Sequence, residues 1–269
     1  MSSLDQLYTK AIPFVRDKKS TGQNISFQLP AVAASAEPLV DLADFGIRCD
    51  SYYGRTDGHN PPYRRAFASA SATVRCRAGV AARLRTANES LGQLGLGLLV
   101  LDGYRPPALQ HELWRFFLDV ARNRLGTDDP GKAADIAMRY CSNPNRIDPG
   151  DMTTVPSHST GGAIDVTLCR AATGEPIFMG SIFDDPAEAS HVDFFEQPHA
   201  ALEKAFEFSF MEARRNRRLL YWTMLEAGFS NYPFEWWHYD FGNYAWLKNA
   251  ACRVTHLEGD TVTLYDAVP

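Results

Sequence analysis

Three stretches of this 269-residue sequence hold side chains whose types and spacing suit hydrolytic chemistry. They are "PSHSTGGAIDVTL" at 156–168, "EWWHYDFG" at 235–242 and "LDGYRPP" at 101–107. His158, Asp165 and His238 make a set of two histidines and one carboxylate. In hydrolases, three protein ligands of these types typically hold Zn²⁺ and leave a fourth position for water, which then ionises near pH 7 instead of about 15.7. Glu235, three residues before His238, is a carboxylate outside that set and is placed to take the proton of such a water. Arg105 precedes Pro106, which confines its backbone to extended forms. A guanidinium fixed beside a metal stabilises the oxyanion of a tetrahedral intermediate.

Each piece also has a plain reading. His158 and Asp165 alone describe a surface loop running into an ordinary strand. "EWWH" alone describes core aromatics with a solvated glutamate, and Arg105 alone an arginine in a surface turn. What favours chemistry is the way the elements must run. "GGAIDVTLC" at 161–169 predicts a strand in which Ile164, Val166 and Leu168 point one way and Asp165 and Thr167 the other. Gly161 and Gly162 let the chain fold sharply enough to return His158 beside Asp165. "EWWHYDF" also predicts a strand, which sets a geometric problem, because residues i and i+3 of a flat strand face opposite sides. Glu235 must therefore sit at the strand mouth or on a bulge.

Around these pieces, Val80, Leu84, Ala87 and Leu91 recur at helical spacing and predict an amphipathic helix over 73–94. "GLGLLVLD" at 95–102 predicts a buried strand. Pro106 and Pro107 suit the start of another helix, with Leu109, Leu113, Phe116 and Val120 on one face. Shorter or weaker signals predict a helix over 131–140, loop over 142–151, a helix over 211–227 with Gly228 past its end, and a strand over 261–267. Strands and helices mix without regular βαβ alternation. This predicts an α+β fold with a mixed, mainly antiparallel sheet and helices packed against it. Residues 1–40, with a short helix over 3–16 and an Ala- and Pro-rich stretch, read as an N-terminal arm, and residues 41–269 as the main domain.

Bulk properties narrow the classes. A net charge of −5 gives no electrostatic case for binding nucleic acid. The basic run "RRNRR" at 214–218 reads as the solvated face of a helix. No stretch is apolar enough to span a membrane, and the first residues carry no basic leader followed by an apolar run. The five cysteines are scattered without a C-x-x-C pair, so they read as free, mostly buried thiols. A cytoplasmic location is expected.

The three pieces, taken in order, resemble a known family. "LLVLDGYRP", then "SHSTGGAIDVTL", then "TGEPIFMGSIFDD" with "SH" ending at 191, then "NRRLLYWTMLEAGFSNYPFEWWHY" at 216–239 are similar to the D-alanyl-D-alanine dipeptidases of the vancomycin-resistance type. Those belong to the wider group of D,D-carboxypeptidase-like and hedgehog-like zinc peptidases. The resemblance covers roughly residues 44–242. It implies Zn²⁺ on His158, Asp165 and His238, Glu235 as general base, Arg105 as oxyanion stabiliser and a small dipeptide such as D-Ala-D-Ala as substrate. It alone implies that Asp184 meets the free amino group of that dipeptide, with Asp185 solvated or capping; both acids could equally begin a helix at "DDPAEA". It makes His191 a candidate to support the metal ligands from behind, while His59, His111, His199 and His256 read as structural or exposed. The sequence departs from the family pattern at Pro156, where a serine is usual, leaving Ser157 to hold the substrate. It departs again near Gly46, where a tyrosine is usual, although Tyr52 and Tyr53 are close. The competing readings are a zinc D,D-carboxypeptidase acting on longer peptidoglycan stems, a pathway-specific peptidase or amidase for a modified amino acid, and a metal-bearing binding module without turnover.

Overall fold

A computed structural model describes residues 6–13, 32–126, 129–138, 140–148, 150–251 and 262–268. In chain order come β1 (Val32–Ala34), β2 (Leu39–Asp41), β3 (Arg48–Cys49), β4 (Arg75–Arg77), helix α1 (Ala78–Gly92), β5 (Leu96–Asp102), α2 (Pro107–Leu125) and α3 (Pro130–Ala137). Then follow β6 (Ala163–Arg170), α4 (Ala200–Ala205), α5 (Glu207–Glu226), β7 (Ser230–Asn231), β8 (His238–Asp240), α6 (Tyr244–Ala251) and β9 (Val262–Leu264). Five strands form the central sheet in the order β3-β5-β6-β8-β7. Only the β3–β5 pair is parallel within it; the other three pairs are antiparallel. Two small pairs, β1 with β9 and β2 with β4, lie outside it. The fold is α+β with a mainly antiparallel sheet, as the sequence predicts.

Hydrophobic spacing locates the elements well and their edges less well. Val80, Leu84, Ala87 and Leu91 are all buried on α1, but the helix begins at Ala78, because Arg75–Arg77 pairs with β2. On α2 the fully packed residues are Leu109, Leu113, Trp114, Phe117 and Ala121. The buried stripe is therefore rotated from the predicted one, and Phe116 and Val120 lie at its margin. Gly228 follows α5 at φ +93°, the left-handed position that ends helices. Of the helix predicted over 3–16, the described part has left helical geometry by Tyr8, and the remainder lies outside the described residues.

The basic run at 214–218 differs from its expected solvated face. Arg217 is 1% exposed, and Arg218 is engaged by Glu196 at 2.6 Å. Charge alone misleads here, since a guanidinium enters a protein interior when enough carbonyls and carboxylates meet its donors.

Register is what builds the site. Antiparallel pairing sets Asp165 of β6 opposite His238 of β8. On the other flank, β5 pairs regularly with β6 as far as Val100–Val166, then slips by one residue so that Asp102 stands opposite Asp165. Without that slip Leu101 would hold the position and Asp102 would turn to the other face, since side chains alternate along a strand. The irregularity thus lines up Asp102, Asp165 and His238 across three neighbouring strands.

Candidate active site

The turn before β6 supplies the fourth group of this row. Ser157–Thr160 forms one turn of 3₁₀ helix, closed by Gly161 at φ +72°. The His158 carbonyl accepts from the Arg105 backbone N–H at 3.1 Å, which pins the turn to the loop after β5. That loop needs Gly103, because a Cβ there would run into the Arg75 carbonyl. The Gly103 carbonyl lies 2.8 Å from Nδ1 of His158, which leaves Nε2 to face the sheet.

Donor atoms of three residues converge as a result. His158 Nε2 lies 3.2 Å from His238 Nδ1 and 3.3 Å from Asp165 Oδ2, and His238 Nδ1 lies 3.1 Å from Asp165 Oδ1. All three residues are buried, and among the described residues they form the group able to share one metal ion. Burial opposes ionisation of Asp165, but the two imidazoles beside it hold its carboxyl well below the usual range. The far nitrogen of His238, Nε2, faces Asp240 Oδ2 at 3.3 Å. Asp240 is buried and accepts from Asn243 Nδ2 at 2.7 Å. Each histidine therefore has an acceptor behind it, which fixes its ring and raises its basicity toward a metal. His191, the candidate for that supporting role, instead packs its ring on Phe234 with centroids 5.2 Å apart. The nitrogen partners of the two clustered histidines are Gly103 and Asp240. His256 lies outside the described residues.

Glu235 reaches the cluster by a route other than the predicted strand. β8 begins only at His238, and the preceding residues form turns. The His238 N–H donates to the Glu235 carbonyl at 3.3 Å, and Asn231 Nδ2 donates to the carbonyls of both Glu235 and His238. Curling the chain this way brings residues i and i+3 to one side, so Glu235 Oε2 stands 3.8 Å from His238 Nδ1. Trp236 and Trp237 go into the core. The tryptophans of "EWWH" are thus packing, while Glu235 and His238 line the cavity. Burial, and then the charges of Asp165 and Asp184, push the Glu235 carboxyl up to about 8 against the pull of His238 and Arg105. A carboxyl that titrates near working pH is suited to accept and return a proton.

Arg105 is held by three partners. Its Nε and Nη2 donate to Asp102 Oδ2 at 2.9 and 2.7 Å, Nη1 donates to Gln110 Oε1 at 3.1 Å, and Nη2 donates to the Tyr53 hydroxyl at 3.1 Å. Nη2 also stands 3.7 Å from Asp165. The Tyr53 hydroxyl in turn donates to Asp184 Oδ2 at 2.8 Å, and Tyr63 donates to the same oxygen at 2.8 Å. Asp184 begins no helix; it faces the cavity with φ +56°. Burial, then the Asp165 charge, raises its carboxyl to about 6 against Arg105 and the two tyrosines. Asp185 accepts from the Ala187 N–H at 3.0 Å, a local turn. Ser157 lines the same cavity with its hydroxyl 3.4 Å from His238 Nε2.

The surrounding cavity measures about 330 Å³ and holds every candidate named from sequence: His158, Asp165, His238, Glu235, Arg105, Asp184 and Ser157. Pro156 lines it as well. Sequence reasoning missed Asp102, Asp240, Tyr53 as a participant, and Tyr63. Asp102 carried a signal, since it stands three residues before Arg105 at the end of a buried strand. Tyr63 carried none, because its partner is 121 residues away.

Comparison with known proteins adds the family context. A family model described as D-ala-D-ala dipeptidase matches residues 68–256. The D-alanyl-D-alanine dipeptidase of Enterococcus faecalis is 36% identical over 163 residues, which is 60% of this chain and 69% of that protein. The D-alanyl-D-alanine dipeptidase of Streptomyces coelicolor is 31% identical over 203 residues, 75% of this chain and 89% of that protein. A solved vancomycin-resistance D,D-pentapeptidase in complex with Zn(II) aligns at a TM-score of 0.40 and 15% identity, over 64% of this chain and 75% of that one.

Proposed function

Since the chain belongs to the D-ala-D-ala dipeptidase family of metallopeptidases, we propose that it is a zinc dipeptidase hydrolysing D-Ala-D-Ala or a related small dipeptide. The observation that carries this is the closeness of the cluster: the two imidazole nitrogens lie 3.2 Å apart, and each lies 3.1 to 3.3 Å from one of the two Asp165 carboxylate oxygens. Ligands at 2.0–2.1 Å on a tetrahedral zinc stand roughly 3.3–3.4 Å apart, the tetrahedron edge for those bond lengths. The chemistry of the set also suits zinc: two imidazoles with acceptors behind them and one carboxylate held ionised. His158, Asp165 and His238 would hold the ion. When bound, zinc acts as a Lewis acid that polarises the scissile carbonyl and makes water a nucleophile near neutral pH.

The residues of the chain carry the remaining work. Glu235 takes the proton of the attacking water and passes it to the leaving amine. Arg105, locked by Asp102, Gln110 and Tyr53, presents a fixed positive charge to the oxyanion and loses nothing to reorganisation as charge develops. Asp184 receives the free ammonium of the dipeptide. Its Oδ2 is filled by the two tyrosine hydroxyls, which leaves Oδ1 for the ligand. That preference separates a dipeptidase from a carboxypeptidase, whose longer substrate has a neutral amide at the same point. Ser157 takes part in holding the carboxylate end in place of the hydroxyl absent at Pro156.

We assign the catalytic unit to residues 41–269, within which the family match begins at residue 68 and the central sheet at Arg48, and an arm to residues 1–40 that packs onto it through β1 beside β9, through β2 beside β4, and through Leu7 and Ile12 in the core. No helix among the described residues is long and apolar enough to cross a membrane. A cytoplasmic location is supported by Cys49, Cys76, Cys141 and Cys169, all free thiols. The test is hydrolysis by zinc-loaded protein of D,D-, L,L- and mixed dipeptides with N-acetylated controls. A free D,D-dipeptide should be cleaved far faster than its N-acetyl form, and equal rates on both would defeat the dipeptidase reading in favour of a carboxypeptidase.

A further inference from the structure

We propose that Arg217, on a helix outside the cavity, is a positioning residue that holds Asp184 in place, so that selectivity for a free ammonium depends on it. The inference rests on the assignment of Asp184 as the ammonium site. The Asp184 segment runs from Met179 to His191 with no regular structure beyond one 3₁₀ turn at Glu188–Ser190. Its shape must come from tertiary anchors, and Arg217 supplies them at both ends. Nε donates to the Met179 carbonyl at 2.7 Å, five residues before Asp184. Nη2 donates to the Ala189 carbonyl at 2.6 Å, five residues after it, and Nη1 to the His191 carbonyl at 2.7 Å. Nη2 also reaches the Ser181 hydroxyl at 3.4 Å. The planar fork thus spans the base of the loop as a clasp.

Arg217 is 1% exposed, and the hydrogen bonds from its guanidinium end on three carbonyls and the Ser181 hydroxyl. Burying a guanidinium is costly, and desolvation pulls its pKa down to about 9 against the charges of Asp185 and Asp193. Simple packing of α5 would be served as well by an apolar side chain. The geometry has a more specific outcome, because Asp184 adopts φ +56°, a left-handed conformation that is uncommon outside glycine though better tolerated by Asp than by most residues, and the clasp fixes the loop around it. Two further contacts stiffen the same loop. Ser190 Oγ donates to the Asp185 carbonyl at 2.6 Å, and Trp236 Nε1 donates to Ser181 Oγ at 2.9 Å. Gly180 is pressed so close to Phe195 and Ala213 that a Cβ has no room there. With both ends clasped, the Asp184 carboxylate is presented to the Tyr53 and Tyr63 hydroxyls.

The test compares Arg217→Lys with wild type on D-Ala-D-Ala and on its N-acetyl form, the latter measured as an inhibitor where turnover is too slow. A lysine keeps the charge and three donors but on a single nitrogen, which cannot span carbonyls met by three separate guanidinium nitrogens. The free dipeptide should lose about tenfold in kcat/KM, mainly through KM, the scale of one misplaced charge-assisted hydrogen bond. The N-acetyl form and bound zinc should stay within about twofold, because neither uses Asp184. Should Arg217→Lys fail to fold, Ser181→Ala removes the hydroxyl shared by Arg217 and Trp236 and should shift the same ratio in the same direction. A variant that loses both substrates equally, or neither, overturns the proposal. Asp184→Asn separates the two levels: if it leaves the free-to-acetylated ratio unchanged, the ammonium assignment has failed and Arg217 falls with it. If Asp184→Asn lowers the ratio while Arg217→Lys does not, only the Arg217 inference is lost.

Discussion

Replacing Asp240 by asparagine should weaken zinc binding without touching any of the three proposed ligands. His238 turns Nδ1 to the cluster and Nε2 to Asp240 Oδ2 at 3.3 Å, while Asp240 Oδ1 accepts from Asn243 at 2.7 Å. Asparagine keeps the shape but exchanges one acceptor for a donor. Its NH₂ must face either the Asn243 donor or the His238 Nε2–H, so one of the two hydrogen bonds is lost, and the negative charge is lost in both cases. Removing such a partner behind a ligating histidine costs about 10–100-fold in metal affinity, or roughly 1.4–2.7 kcal/mol. The pH dependence follows from His238. Without metal, burial opposes its protonation, but Asp240 first and Asp165 next raise its pKa well above the ordinary imidazole value. Zinc must displace that proton, so wild-type affinity falls as pH falls. The variant loses the Asp240 charge, its His238 is less basic, and proton competition weakens. The ratio of variant to wild-type Kd should therefore be largest at mildly alkaline pH and shrink toward acid. Competition against a chromophoric chelator across that range measures it. Affinities within about twofold of each other at alkaline pH would refute the reasoning that Asp240 supports the ligand.

Three further outcomes are expected. Glu235→Gln keeps the shape but cannot accept a proton, so kcat should fall about 10²–10⁴-fold with zinc retained; near-normal turnover in a steady-state assay would pass the base role to another group. Pro156→Ser restores the usual hydroxyl at the cavity wall and should lower KM for D-Ala-D-Ala, whereas unchanged kinetics would show that Pro156 is neutral. Burial, then the Asp165 charge, raises the Asp184 carboxyl to about 6, so its charged form predominates above that pH and gives way to the neutral acid below it. KM for a free dipeptide should rise as pH falls through about 6, and a KM that stays flat there would remove Asp184 from ammonium binding.

The parts of the site legible in the sequence were those fixed by short-range patterns. Asp165 sits on an alternating strand, His158 precedes a pair of glycines that return the chain, and Glu235 and His238 are close enough to share one turn. The turn itself was misread as strand because two tryptophans satisfy β-propensity and core packing alike; only the Glu235–His238 hydrogen bond decides between them. Asp102 was legible as a neighbour of Arg105, but its place opposite Asp165 depends on a one-residue register slip in β5, which no periodicity in β5 alone reveals. Tyr53 and Tyr63 meet Asp184 across 131 and 121 residues. A separation of that size is set by tertiary packing, so composition near the tyrosines gives no hint of it. Arg217 was concealed by its own neighbours, since a run of four arginines looks like a solvated face until carbonyls from a distant loop are seen to fill one of them.

The most direct measurement is metal reconstitution. Protein stripped with a chelator and then titrated with Zn²⁺ should regain D-Ala-D-Ala hydrolysis in proportion to zinc, reaching a plateau at one ion per chain. His238→Ala in the same titration should retain little zinc and recover no activity. Full activity in metal-free protein, or a full complement of zinc in His238→Ala, would contradict the account.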